Sequence, residues 1–196
     1  MTKTIAITGG IGSGKSTFCN ELRHKGFKIH SSDEQVAKIY KTPEKKFIFY
    51  LNSIGLSMAV MNKTIDKKTI SKIIFTNTKM RKKLEKYIFN VVRKKRSEFI
   101  KKEKKKKTKI IFIDIPLLFE NKLENKFHKV ISIIAPRKTR LERLKKTRKM
   151  SETQFKNILK SQTSDIIRKA KSDYVVYNNS TLKDYKNKIN RLIDKF

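Results

Sequence analysis

Three observations predict an α/β fold with a parallel five-stranded sheet flanked by helices. Strand and helix signals alternate along the chain. A glycine cluster follows the first strand with no intervening residues. Later strands are unbroken apolar runs, such as Ile110-Ile111-Phe112-Ile113, which suit burial on both faces by helices. Element by element, residues 4–8 form a short β-branched strand, and residues 14–25 a helix with Phe18 and Leu22 four apart on one face. Residues 27–29 form a second strand. Residues 33–41 and 44–54 are helical, with Pro43 between them. Residues 66–75 and 78–102 give two more helices, the second long and charged. Residues 109–113 and 130–134 are apolar strands closed by Pro116 and Pro136. Helices at 137–147 and 152–160, a strand at 174–177, and a final helix capped by Ser180 and running to residue 195 complete the chain. Between about 42 and 107 only helices are predicted, so this stretch reads as a helical insertion beside the sheet.

The length of 196 residues fits one domain with room for such an insertion, and 37% apolar residues supply a sizeable core. One cysteine excludes a disulfide framework and a Cys-rich zinc site. No apolar run approaches the roughly 20 residues of a membrane span. The first residues, Met1-Thr2-Lys3-Thr4-Ile5, lack the apolar stretch of a secretory signal, which predicts a cytoplasmic protein with no membrane partner.

Lys and Arg total 50 against 17 Asp and Glu, a formal charge of +33. Basic surface of this size can neutralise nucleic-acid phosphates. It is equally what a Lys-, Ile-, Asn- and Phe-rich composition from AT-rich coding produces, with non-specific polyanion binding as a side effect. The lysines are spread along nearly the whole chain, so no specific nucleic-acid partner is expected.

Gly9-Gly10-Ile11-Gly12-Ser13-Gly14-Lys15-Ser16 matches G-x-x-x-x-G-K-[ST], with a strand before it and a helix after it. Such a loop wraps its N–H groups around phosphate oxygens at a helix N-terminus. Gly10, Ile11, Gly12, Ser13, Gly14, Lys15, Ser16 and Thr17 are therefore the expected nucleoside-triphosphate-binding residues of a P-loop NTPase fold. Lys15 would reach the β- and γ-phosphates, and the Ser16 hydroxyl would bind Mg²⁺.

Asp33 lies just past the second strand, where an open parallel sheet binds its ligands. It is a candidate base for an attacking hydroxyl and equally a candidate helix cap. Asp114 ends a buried strand and is a candidate for the Mg²⁺ shell. Arg137, Arg140, Arg143 and Arg148 fall within twelve residues, and Arg140 and Arg143 lie one turn apart on one helix face. Carried on a mobile arm they could close over a transferring phosphoryl group; otherwise they form a solvated basic face. His24, His30 and His128 lack ligand spacing, and Cys19 reads as core.

With these residues assembled, the chain resembles the dephospho-coenzyme A kinases over nearly its whole length. Residues 8–17 are similar to the family's opening motif. Asp114-Ile115-Pro116-Leu117-Leu118-Phe119-Glu120 is similar to its strand-end signature, and Gln162, Arg168-Lys169-Ala170 and Asp173-Tyr174-Val175-Val176-Tyr177-Asn178-Asn179 to its closing pattern. The resemblance implies a single kinase domain over 1–196, with a core at 1–41 and 108–196, a helical acceptor-binding region at about 42–107 and a lid at about 143–160. It implies ATP-dependent phosphorylation of the ribose 3′-hydroxyl of dephospho-CoA to CoA, the last step of coenzyme A biosynthesis. Asp33 would be the base, Arg143 a lid or phosphate arginine and Asn178 an adenine neighbour. Ser31-Ser32-Asp33 stands where the family shows Asp-Ala-Asp, Phe89-Asn90 where it shows His-Pro, and Arg148 beside Thr147, where a lid arginine is expected. Two other readings remain open from the residues alone: a nucleoside monophosphate kinase, or a nucleic-acid-binding NTPase. None of these motifs encodes an oligomeric state.

Overall fold

The computed structural model describes residues 1–61 and 64–196. Five strands form the main sheet, all but β2 on β-branched or apolar runs: β1 (Lys3–Gly9), β2 (Lys28–Ser31), β5 (Ile110–Asp114), β6 (Lys129–Ile134) and β7 (Tyr174–Tyr177). They form one parallel sheet in the order β2-β5-β1-β6-β7. β1 is central and buried from its second residue onward, as the apolar run requires. The intervening elements are α1 (Lys15–His24), α2 (Ser32–Lys41), α3 (Lys45–Ser53), the short strands β3 (Val60–Met61) and β4 (Thr64–Ile65), α4 (Lys67–Thr76) and α5 (Thr78–Lys105). After β6 come α6 (Arg137–Arg148), α7 (Glu152–Lys160) and α8 (Asp165–Ala170); α9 (Leu182–Ile193) follows β7.

Contacts divide the chain into two compact units, one of Met1–Ser31 with Ile100–Phe196, the other of Ser32–Phe99. In the first, α1 and α9 lay Phe18, Leu22, Tyr185 and Ile189 on Ile5, Ile7, Phe112, Ile131 and Ile133 of the sheet. α1 stops where Gly26, at φ 85°, lets the Gly26 and Phe27 N–H groups bond back to Arg23 and Leu22. α7 opens with a capping box between Ser151 and Gln154.

The second unit has its own core of Phe47, Leu51, Ile54, Leu56, Ala59, Ile70 and Leu84. Tyr87 stacks on Tyr50, with ring centroids 4.2 Å apart. α4 is capped by the Asp66 carboxylate, which accepts from the Lys68 N–H at 2.8 Å.

Five details differ from the sequence reading. α2 belongs to the helical unit, because it packs on β4 and its Tyr40 meets Phe47 edge-on at 5.6 Å. The last residues of α5 belong to the sheet unit, where buried Glu103 accepts from the Thr108 hydroxyl at 2.8 Å just before β5. The helical stretch also contains strands, since β3 and β4 pair antiparallel through Val60–Ile65 and Met61–Thr64. Finally, α9 is capped by Thr181 rather than Ser180: the Thr181 Oγ1 accepts from the Asp184 N–H at 3.2 Å. The short helix α8, capped by Ser164, was not anticipated.

Candidate active site

The glycine loop joins the carboxyl end of β1 to α1 at the centre of the sheet. Gly12 and Gly14 take φ of 72° and 102°, the left-handed region that a side chain disfavours. The turn closes through the Ser13 N–H to the Gly10 carbonyl at 3.1 Å. No side chain caps α1 and no acid stands in its first turn. Its leading N–H groups and the positive end of its dipole are therefore available to an anion. Lys15 Nζ folds along the loop and donates to the Gly9 carbonyl at 3.0 Å. Ser16 is exposed and Thr17 half-buried on the first turn.

The far side of the loop is braced from β7 and α9. Asn178 is buried; its Nδ2 donates to the Ser13 carbonyl at 2.9 Å and its Oδ1 accepts from Arg143 Nη2 at 3.0 Å. Tyr185 donates its hydroxyl to the Gly14 carbonyl at 3.2 Å. Burial pushes that phenol well above its ordinary value, with Cys19 adding to the shift and Arg143 opposing it. A Cβ at residue 14 would collide with Asn178 Nδ2, a second reason for glycine there. Both ends of the Asn178 carboxamide thus engage the protein, one of them the residue expected on the lid.

Asp114 ends β5 beside Ile7 of β1 and Ser31 of β2. It is buried, and its Oδ2 accepts from the Ser31 hydroxyl at 3.0 Å. The Thr8 hydroxyl donates to the Pro116 carbonyl at 3.2 Å, which fixes the exit of the same strand. Among the described residues no group of three or more His, Cys, Asp or Glu could hold a metal ion alone. Asp33 is exposed in the first turn of α2, within the helical unit.

The arginines divide sharply. Arg143 is half-buried, whereas Arg140 and Arg168 are 2% and 1% exposed. Arg140 Nη2 pairs with Asp165 at 3.0 Å. Burial pushes its guanidinium below the ordinary value, and Asp165 works against that shift. Arg168 pairs with Glu120 at 3.0 Å and donates to the Thr163 carbonyl. Two residues that sequence reasoning gave no role complete this side. Glu120 Oε1 also accepts from the Thr163 N–H at 2.7 Å, and Gln162 Oε1 accepts from the Ile11 N–H of the loop at 3.1 Å. Only the family pattern, which contains both, could have pointed to them.

A five-stranded parallel sheet with this strand order, and a glycine loop between its central strand and the following helix, define a P-loop nucleotide-binding protein, and the family to which it is similar makes it a kinase, a phosphotransferase class that uses ATP. Comparison with known proteins narrows the class. The sequence profile described as Dephospho-CoA kinase matches residues 3–184. A dephospho-CoA kinase of Fusobacterium nucleatum is 35% identical over 193 residues, 97% of this chain and 96% of its own. The solved dephospho-CoA kinase of Campylobacter jejuni is 30% identical, with a TM-score of 0.74 over 100% of this chain and 97% of its own. TT1252 of Thermus thermophilus, 24% identical, shares the fold with a TM-score of 0.79 over 100% of this chain and 98% of its own. The chain belongs to the dephospho-CoA kinase family. No helix among the described residues is long and apolar enough to cross a membrane.

Proposed function

We propose that the chain transfers the γ-phosphoryl of ATP to the ribose 3′-hydroxyl of dephospho-CoA, giving CoA and ADP in the cytoplasm. The observation that carries this reading is the loop of residues 9–16, its two left-handed glycines and its uncapped helix end, in a chain of this family. The loop N–H groups and Lys15 hold the β- and γ-phosphates. Arg143 neutralises charge that builds on the transferring phosphoryl group. Asn178 and Tyr185 keep the loop in shape from behind. Asp33 orients the acceptor hydroxyl and takes its proton as the 3′-oxygen bonds to the γ-phosphorus and the bond to the β–γ bridging oxygen breaks. The oxygen donors of Ser16 and Asp114 suit Mg²⁺, whose contribution when bound is to neutralise phosphate charge. Labour divides between a core at 1–31 and 100–196, a helical acceptor-binding region at 32–99, and a lid at about 143–160.

The test is Asp33→Asn, which preserves shape and leaves the exposed helix start intact. Single-turnover phosphorylation of dephospho-CoA should slow by about 10²–10⁴-fold, with ATP affinity and melting temperature retained. Normal turnover in this variant would remove Asp33 from the reaction and leave it a first-turn acid of α2.

A further inference from the structure

We propose that Arg140 is a positioning residue of the phosphate loop, and that its guanidinium, rather than any backbone demand, is what requires glycine at residue 10. The inference rests on the reading of this loop as the ATP site. Gly10 is not among the glycines in the left-handed region, so its backbone would accept a side chain. The space for one is taken: a Cβ there would collide with Arg140 Nη1, with Gln162 Oε1 3.5 Å away. Arg140 is fully enclosed on α6 and cannot swing out to solvent as an exposed arginine would. Its Nη2 is fixed by Asp165, and its Nε has no hydrogen-bond partner. So costly a burial is sustained by a chain of ion pairs. Asp165 also takes Arg168 Nη1 at 3.4 Å, Arg168 takes Glu120, and Glu120 and Arg168 together clamp the backbone of Thr163. Gln162, next in sequence, grips the Ile11 N–H. The first limb of the phosphate loop, Gly10 and Ile11, is thus pressed against one guanidinium and tied to one carboxamide, both held by the turn between α7 and α8.

A limb held this way presents its N–H groups in a fixed geometry, and small displacements of such groups weaken phosphate binding steeply. The test is a double-mutant cycle on ATP affinity, read by calorimetry, with melting temperature and kcat/KM for ATP alongside. Arg140→Ala should weaken ATP about tenfold or more, with Arg140→Lys no better than partial rescue, because an ammonium cannot span Asp165 and Gly10 as the planar fork does. Gly10→Ala should cost a similar factor in the wild-type background and almost nothing further once Arg140 is alanine. If Arg140→Ala does not fold, Arg140→Met keeps the stem packed and serves in its place. Equal cost of Gly10→Ala in both backgrounds would assign that glycine to the nucleotide and overturn the inference, as would unchanged ATP affinity in Arg140→Ala. Absence of ATP binding by the wild-type protein would instead overturn the reading of the site itself.

Discussion

The Ser31 hydroxyl donates to the Asp114 carboxylate across 3.0 Å, where the parallel neighbours β2 and β5 end side by side. Both groups are buried, so the bond fixes which way the carboxylate faces. Where a carboxylate is to share a metal with Ser16, such support tunes affinity.

Ser31→Ala should therefore raise the Mg²⁺ concentration needed for half-maximal turnover by about 10- to 100-fold, with ATP binding in the absence of metal unchanged. A Mg²⁺ titration of ADP release reads this directly. An unshifted midpoint would mean that Ser31 serves only the strand ends.

Arg143 donates to Asn178, which in turn braces Ser13, so its planar fork joins α6 to the loop; in the proposed reaction it also offers charge to the phosphoryl group. Arg143→Lys keeps the charge and loses the fork. The expected result is a fall in kcat of about 10- to 1000-fold with a smaller change in KM for ATP. A normal kcat would leave Arg143 with only its tie to Asn178.

Asp173 fastens β7 to β6: it accepts from Lys129 Nζ at 2.7 Å and from the Val130 N–H at 2.8 Å. Burial pushes its carboxyl up, but the Lys129 and Val130 hydrogen bonds and the Lys129 charge outweigh that, and the net shift is below the ordinary 3.8. A folded value below the unfolded one adds stability that is fully present above about pH 4 and lost as pH falls further. Thermal melts of wild type and Asp173→Asn should differ at neutral pH and converge as pH drops below about 4. A difference constant down to pH 2 would contradict the assignment.

Much of this fold and site was legible in sequence because the signals are local. The glycine loop lies within eight consecutive residues, and every sheet strand except β2 carries its own β-branched or apolar run. Strands β3 and β4, of two residues each, and the six-residue α8 are too short to show a period. The choice of Thr181 over Ser180 as cap depends on backbone geometry that two adjacent hydroxyl residues do not reveal. The supports of the loop were not legible for a different reason: Gln162 meets Ile11 across 151 residues, and Asn178 meets Ser13 across 165. Arg140 and Arg143 look alike one turn apart, yet one is enclosed and the other half-open. What separates them is Asp165, 25 residues further on.

The most direct measurement offers dephospho-CoA, AMP, CMP and a polynucleotide separately with ATP and Mg²⁺ and follows ADP release, with Lys15→Ala as the inactive control. The account predicts release with dephospho-CoA alone, a product phosphorylated at the ribose 3′-oxygen, and a control that melts like the wild type but does not turn over. Release driven by AMP, CMP or polynucleotide in preference to dephospho-CoA would contradict it.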